Sequence, residues 1–248
     1  EYNMVRFLER EGYDVTYATD VDTHENPDLL LSHKGFLSVG HDEYWSKEMR
    51  DHVEAARDSG IHLGFFAANV SNWQIRFEPS NFNEVADRTI TCYKDGNLDP
   101  IKDNQVTFNW RSPSVNRPEA QMIGVMYRFD PVNADIVIEN NSHWVFDNTG
   151  LKSGDHLPGL LGYEVDQIFD SSPAGIVRLA HSPYLIEGVG HFSDMTIYTA
   201  PSDAFVFATG SMQWNWGLDD YGAPQLRPAL SSFGAQQMTR NILNHMRD

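Results

Sequence analysis

A chain of 248 residues is long enough for one large domain with a buried core, and with 41% hydrophobic and 21% charged residues it reads as globular rather than disordered. A formal net charge of −17 argues against nucleic acid and anionic membrane surfaces as partners, because both call for a basic footprint. Cys92 is the single cysteine, which excludes an internal disulfide and a cysteine-based zinc site, and no apolar run approaches the roughly 20 residues of a membrane span.

Taken in chain order, residues 1–11 carry the amphipathic spacing of a helix (Met4, Val5, Leu8), with Gly12 as its left-handed cap. Tyr13, Val15 and Tyr17 alternate, which predicts a strand over 13–18. A polar turn from Asp20 to Pro27 leads to a short helical segment at Asp28–Ser32. A second strand follows at 35–40, then a helix at 46–58 with Met49, Val53 and Ala56 on one face and Gly60 closing it, then a third strand at 61–67. Strand–helix–strand alternation predicts a mainly parallel α/β sheet. Residues 80–175 are rich in Asn, Asp, Pro and Gly with short β-like runs (Thr89–Tyr93, Met122–Tyr127, Asp135–Glu139), and read as a mixed β insertion. Strands return at Ile176–Leu179, Met195–Tyr198 and Asp203–Ala208, and Ala235, Met238, Ile242 and Met246 mark a C-terminal helix. The chain lacks an initiator Met and opens inside a helical pattern. A doubly wound domain starts with a strand, so truncation of a single domain spanning 1–248, or a larger multidomain setting, is expected.

Three loops carry groups suited to chemistry, each after a predicted strand, where open α/β sheets bind ligands. The first is Gly40-His41-Asp42-Glu43-Tyr44-Trp45-Ser46. Ser46 as helix N-cap, with acidic residues favouring the dipole, is an alternative account of part of it. The second is Ala67-Ala68-Asn69-Val70-Ser71-Asn72-Trp73, and the third is Gly210-Ser211-Met212-Gln213-Trp214-Asn215-Trp216. Three strand ends of one sheet would bring these loops together, so Tyr44, Asn69 and Gln213 are expected to line one crevice. The tryptophans fit core packing equally well. Nucleophile-elbow motifs, phosphate loops and a His-x-x-x-His zinc pair are absent from the sequence. Tyrosine in such a loop suggests a hard, high-valent metal, since phenolate is ionised readily only by strong Lewis acids. Tyr2, at the start of the first helix, is the second such tyrosine.

The runs Glu1-Tyr2-Asn3, Glu11-Gly12-Tyr13-Asp14-Val15, Gly40–Ser46, Gly64-Phe65-Phe66-Ala67-Ala68-Asn69 and Trp73-Gln74-Ile75-Arg76 together resemble the C-terminal domain of the N,N-dimethylformamidase large subunit. Trp110-Arg111, Arg117-Pro118, Gly124-Val125 and the 210–214 loop fit the same family. The resemblance spans nearly the whole chain and is weakest between 80 and 175. It implies a class I glutamine amidotransferase-like fold without the cysteine nucleophile. It also implies a mononuclear ferric iron held by two tyrosines, matched here by Tyr2 and Tyr44, and by a glutamate in a His-x-Glu context. The matching region reads Asp103-Asn104-Gln105-Val106-Thr107-Phe108, without His-x-Glu, so Asp103 or Glu119 would have to take the place of that glutamate.

These observations lead to a three-layer, mainly parallel α/β fold with a mixed β insertion, and to an amidohydrolase acting on a small amide. Iron would polarise the carbonyl and lower the pKa of bound water. Asp42 or Glu43 would be the general base and Asn69 a catalytic amide. His41, Asn72, Trp73, Gln213 and Trp214 would contact substrate. The family's enzyme has a small partner subunit, so this chain alone is expected to hydrolyse dimethylformamide little. The alternative is a non-catalytic ligand-binding or structural domain of a larger secreted protein. The compartment expected is cytoplasmic or secreted.

Overall fold

The computed structural model describes residues 1–247. Helix α1 (Tyr2–Glu11) buries Met4, Phe7 and Leu8, and its C-terminus closes on Gly12 at φ 75°. Helix α2 (Asp20–Glu25) starts on a Thr19 capping box, and Leu29–Ser32 form a turn of 3-10 helix. Strand β1 (Gly35–His41) is followed by the short β2 (Tyr44–Ser46) and by α3 (Lys47–Asp58). The Ser46 hydroxyl accepts from Met49 N–H and so sets the start of α3. Then come β3 (His62–Ala68), β4 (Trp73–Glu78), β5 (Thr89–Thr91) and the single helical turn α4 (Ala120–Ile123). The two long strands β6 (Met126–Val137) and β7 (His156–Gln167) precede β8 (Val177–Ile186), β9 (Val189–Thr199) and β10 (Phe205–Ala208). A 3-10 segment, Met212–Gly217, and α5 (Phe233–Arg247) complete the chain.

The central sheet runs β1-β3-β10-β9-β8. β1, β3 and β10 are mutually parallel, and β9 and β8 add an antiparallel edge. Alternate residues feed two cores, which is the period-2 consequence of a strand buried on both faces. Phe66, Phe205 and Phe207 point into a core shared with α1 and α5, whereas Leu63, Phe65, Val206 and Ala208 pack with Met49, Val53 and Ala56 of α3. Helices therefore cover both faces of a mixed, mainly parallel sheet, as expected. β6 and β7 pair with each other and pack on the α5-side core through Ile136, Leu160 and Val165.

Three local expectations change. Asp20–Glu25, expected within a polar turn, forms helix α2, because Thr19 and Asp22 make a capping box that starts it. In residues 13–18 Tyr13 and Val15 are half-buried against the core with their neighbours exposed, but Tyr17 is exposed and the segment joins no sheet. A strand requires a ladder partner, and among the described residues no backbone hydrogen bond links 14–18 to β1. Met122–Tyr127 divides into the helical turn α4 and the start of β6, because Gly124 at φ 96° breaks the chain direction between them.

Candidate functional site

The loops that leave β1 and β3 lie side by side because they are stitched together. Ser71 N–H donates to the Asp42 carbonyl at 2.8 Å, Trp73 N–H to the Glu43 carbonyl at 3.0 Å, and β2 pairs with β4 in register Tyr44↔Trp73. The β3 loop turns sharply through Asn69 (φ 56°) and Ser71 (φ 55°). Positive φ is unfavourable for non-glycine residues, and such backbone concentrates at functional sites. Asn69 is anchored there by donation of its N–H to Asp166 Oδ1 at 2.8 Å.

A chain of polar contacts links the two loops. His41 Nε2 lies 3.4 Å from Glu43 Oε2 and 3.7 Å from Glu164 Oε2. The other Glu43 oxygen, Oε1, accepts from Trp73 Nε1 at 2.8 Å. The Trp73 ring lies 4.9 Å from Lys94 Nζ, which in turn donates to the Tyr44 hydroxyl at 2.6 Å. Burial pushes the Glu164 carboxyl above its ordinary range, with His41 and the Asn69 side chain opposing the shift and the charges of Glu43 and Asp130 adding to it. Behind it, burial raises Asp166 to about 7 against the pull of the Asn69 N–H and Arg111. Tyr127, which donates to Asp130 Oδ1 at 2.5 Å, is held well above the usual phenol range by burial and by that carboxylate. Two acceptor atoms in this cluster, Glu164 Oε2 and Asn69 Oδ1, are buried without a hydrogen-bond partner. Unpaired buried acceptors are unfavourable by about 1–3 kcal/mol each, which is why they are rare and informative.

The residues singled out in the sequence separate into three groups. His41, Glu43, Tyr44, Asn69 and Trp73 belong to this polar cluster. Asp42 and Asn72 support it from behind. Asp42 accepts from Ser38 Oγ at 2.7 Å and Trp45 Nε1 at 2.8 Å, so both its oxygens brace the loop. In one amide orientation Asn72 accepts from Asn109 Nδ2; in the swapped orientation its nitrogen instead donates to Glu119 Oε1 at 3.1 Å and its oxygen accepts from Trp73 Nε1 at 3.2 Å. Tyr2, Gln213 and Trp214 lie elsewhere. Gln213 donates to the Gly159 carbonyl at 2.8 Å and lines a separate cavity of about 620 Å³ with Tyr163 and Trp216. Trp214 is fully buried, with its indole N–H on Thr239 Oγ1 at 3.1 Å.

The ferric-iron expectation is overturned. Among the described residues, no group of three or more His, Cys, Asp or Glu is arranged to hold a metal. The tyrosines do not supply the deficit. The Tyr44 hydroxyl is occupied by the Lys94 ammonium, a cation where another cation would have to sit. Exposed Tyr2 packs edge-on against Tyr221, with ring centroids 4.7 Å apart, beside Arg6. The two carboxylates that could complete such a site are committed too. Glu119 is buried against the Arg111 guanidinium at 2.8–3.1 Å, and exposed Asp103 accepts from Gln105 N–H at 2.9 Å.

Sequence reasoning passed over Glu164, Asp166, Lys94 and Tyr127, which lie in the stretch without clear periodicity. One signal was available. Glu164 and Asp166 stand two apart in the otherwise apolar run of β7, so both point to one face of a strand that ought to shun charge.

A family model described as "N,N-dimethylformamidase beta subunit-like, C-terminal" matches residues 1–227. Its class I glutamine amidotransferase-like fold agrees with the layers seen here. No curated protein matches the chain. A solved structure described as "mmIFT52 N-terminal domain" is 8% identical, covers 98% of this chain and 89% of its own, and superposes with a TM-score of 0.49.

Proposed function

Because the chain belongs to the N,N-dimethylformamidase beta subunit-like C-terminal family, we propose that its crevice binds and hydrolyses a small amide. The observation that carries this reading is the pair of buried, unpartnered acceptors, Glu164 Oε2 and Asn69 Oδ1. Acceptors take a donor: the attacking water, or the N–H of a primary or secondary amide. Glu164 is the proton acceptor for that water, since burial raises its carboxyl above the ordinary range and so makes the carboxylate a stronger base. His41 Nε2 stands between the Glu43 and Glu164 carboxylates, at 3.4 and 3.7 Å, close enough to add positive charge when protonated but beyond hydrogen-bond reach of Glu164 Oε2. Lys94, over the Trp73 ring, supplies positive charge for the oxyanion that develops on the carbonyl.

This arrangement favours formamide over N,N-dimethylformamide, which has no N–H to offer. The test is a titration of the chain with both amides, followed by NMR, together with detection of formate. Tighter binding of formamide and formate release support the reading. Equal, weak responses to both and no formate overturn it. Binding of formamide without turnover would move the assignment to a ligand-binding domain, a reading favoured by the way Lys94 already engages Tyr44.

A further inference from the structure

Five rings meet at the end of the sheet where β3 begins. His62 stacks on Phe205 with centroids 4.3 Å apart and planes 20° apart, and Phe205 meets Trp144 edge-to-face at 5.6 Å. Trp144 stacks on His245 of α5 at 4.1 Å and lies beside His143 at 5.1 Å. Three of these rings are histidines, whose charge changes between about pH 5 and pH 8. Asn69 and the polar cluster follow the other end of β3, so this group of rings is separate from the candidate site.

Two of the imidazoles hold backbone groups, and both do so as acceptors. His62 Nδ1 accepts the Phe205 N–H at 3.0 Å, at the start of β10. His143 Nδ1 accepts the Val145 N–H at 3.4 Å and so caps the 3-10 turn Trp144–Phe146. A ring nitrogen accepts only while it carries no proton. A second proton on either ring would turn the acceptor into a donor and set it against a backbone N–H.

The turn that His143 caps is also the seat of α5. Asn241 of α5 donates to the Val145 and Asp147 carbonyls at 2.9 and 2.7 Å, and the His245 ring closes over Trp144. Burial pushes His62 and His143 below the ordinary histidine value of 6.5, and the charge of His245 lowers both further. Lys34 adds to the shift at His62, and Asp147 opposes it at His143. A histidine held below its unfolded value stabilises the fold above that value, and the stabilisation is lost as pH falls. We propose that His62 and His143 form an acid-released latch, which fastens the last turns of α5 and the 143–147 turn to the start of β10 at neutral pH and lets them go when the two imidazoles are protonated.

The test follows amide hydrogen exchange at about pH 7.5 and about pH 5, corrected for the intrinsic effect of pH, in the wild-type chain and in a double variant, His62→Asn with His143→Asn. The asparagine Oδ1 takes the place of Nδ1 as an acceptor and does not titrate. In the wild type, protection of the Phe205 and Val145 amides and of 243–247 should fall by about tenfold or more on acidification, while that of 64–67 in β3 stays within about twofold. The double variant should keep its protection at both pH values. Unchanged protection in the wild type, an equal loss in the variant, or an equal loss within β3 overturns the proposal. If the variant does not fold, nitrogen-15 spectra of the wild-type imidazoles decide. His62 and His143 should carry a bare Nδ1 at about pH 7.5, and their protonation should coincide with the loss of protection at Phe205 and Val145. A protonated Nδ1 at about pH 7.5, or imidazole titration with both amides still protected, overturns the latch.

Discussion

Replacing Arg111 by methionine isolates the ion pair that anchors the back of the crevice. Glu119 is 1% exposed, and Arg111 reaches both its oxygens, with contacts of 2.8, 3.1 and 3.1 Å. Among the described residues no other cation lies at salt-bridge distance from this carboxylate, although Asn72 lies beside it. Removing one partner of a buried pair leaves an uncompensated charge and is destabilising by about 3–5 kcal/mol. For a chain of this length that corresponds to a fall in Tm of roughly 6–20 °C. The penalty has a pH sign. Burial already raises the Glu119 carboxyl above its ordinary 4.5, with Arg111 opposing, and loss of Arg111 lets it rise further. A folded state that holds its proton more tightly than the unfolded chain loses stability as pH rises above the unfolded pKa. The variant should therefore be milder near about pH 5 than near about pH 8. Urea unfolding at both pH values, with Glu119→Gln added in the Arg111→Met background, reads this directly. Recovery of most of the lost stability by the double variant is expected. A cost below about 1 kcal/mol, the same cost at both pH values, or no recovery would refute the reasoning.

Three further outcomes follow from named contacts. Asp166, raised to about 7 by burial, makes folding less favourable as pH climbs from about 4 to about 7, with a slope approaching 1.4 kcal/mol per unit, and Asp166→Asn should flatten that slope in chemical denaturation. Gly210→Ala should destabilise by about 3 kcal/mol or more, because φ is +63° and the new Cβ would stand 2.3 Å from the Asp194 carbonyl oxygen; an unchanged Tm would contradict this. Trp214→Ala should lower stability by about 3–5 kcal/mol while leaving formamide affinity unchanged, since the indole fills the core rather than the crevice. A selective loss of affinity with normal stability would return Trp214 to the site.

The parts of the fold legible in the sequence were those whose hydrophobic period is imposed by one neighbour. α1, α3 and α5 show their buried stripes directly, and β3 shows an apolar run because both its faces are covered. Residues 13–18 misled because alternation reports which face is buried and not whether a ladder partner exists. At the site, the loops after β1 and β3 were legible because each carries several polar groups at a strand end. Gln213 was not, since the loop after β10 turns toward the β7 side and delivers its amide to Gly159. Lys94 and Glu164 were hidden for a different reason. Each reaches the crevice from a segment that gains its position only through tertiary pairing, Lys94 just beyond β5 and Glu164 through the β6–β7 pairing. The tyrosines suggested a metal by residue type alone, and it was the ammonium beside Tyr44 that changed the chemistry.

The account rests most heavily on Glu164, and the most direct test is formate release from formamide by the wild-type chain and by Glu164→Gln, measured side by side on protein of matched Tm. The account predicts measurable release by the wild type and a loss of about 10²–10⁴-fold in the variant, the range expected for removal of a general base. Equal rates in the two proteins, or no release and no binding by the wild type, would contradict it.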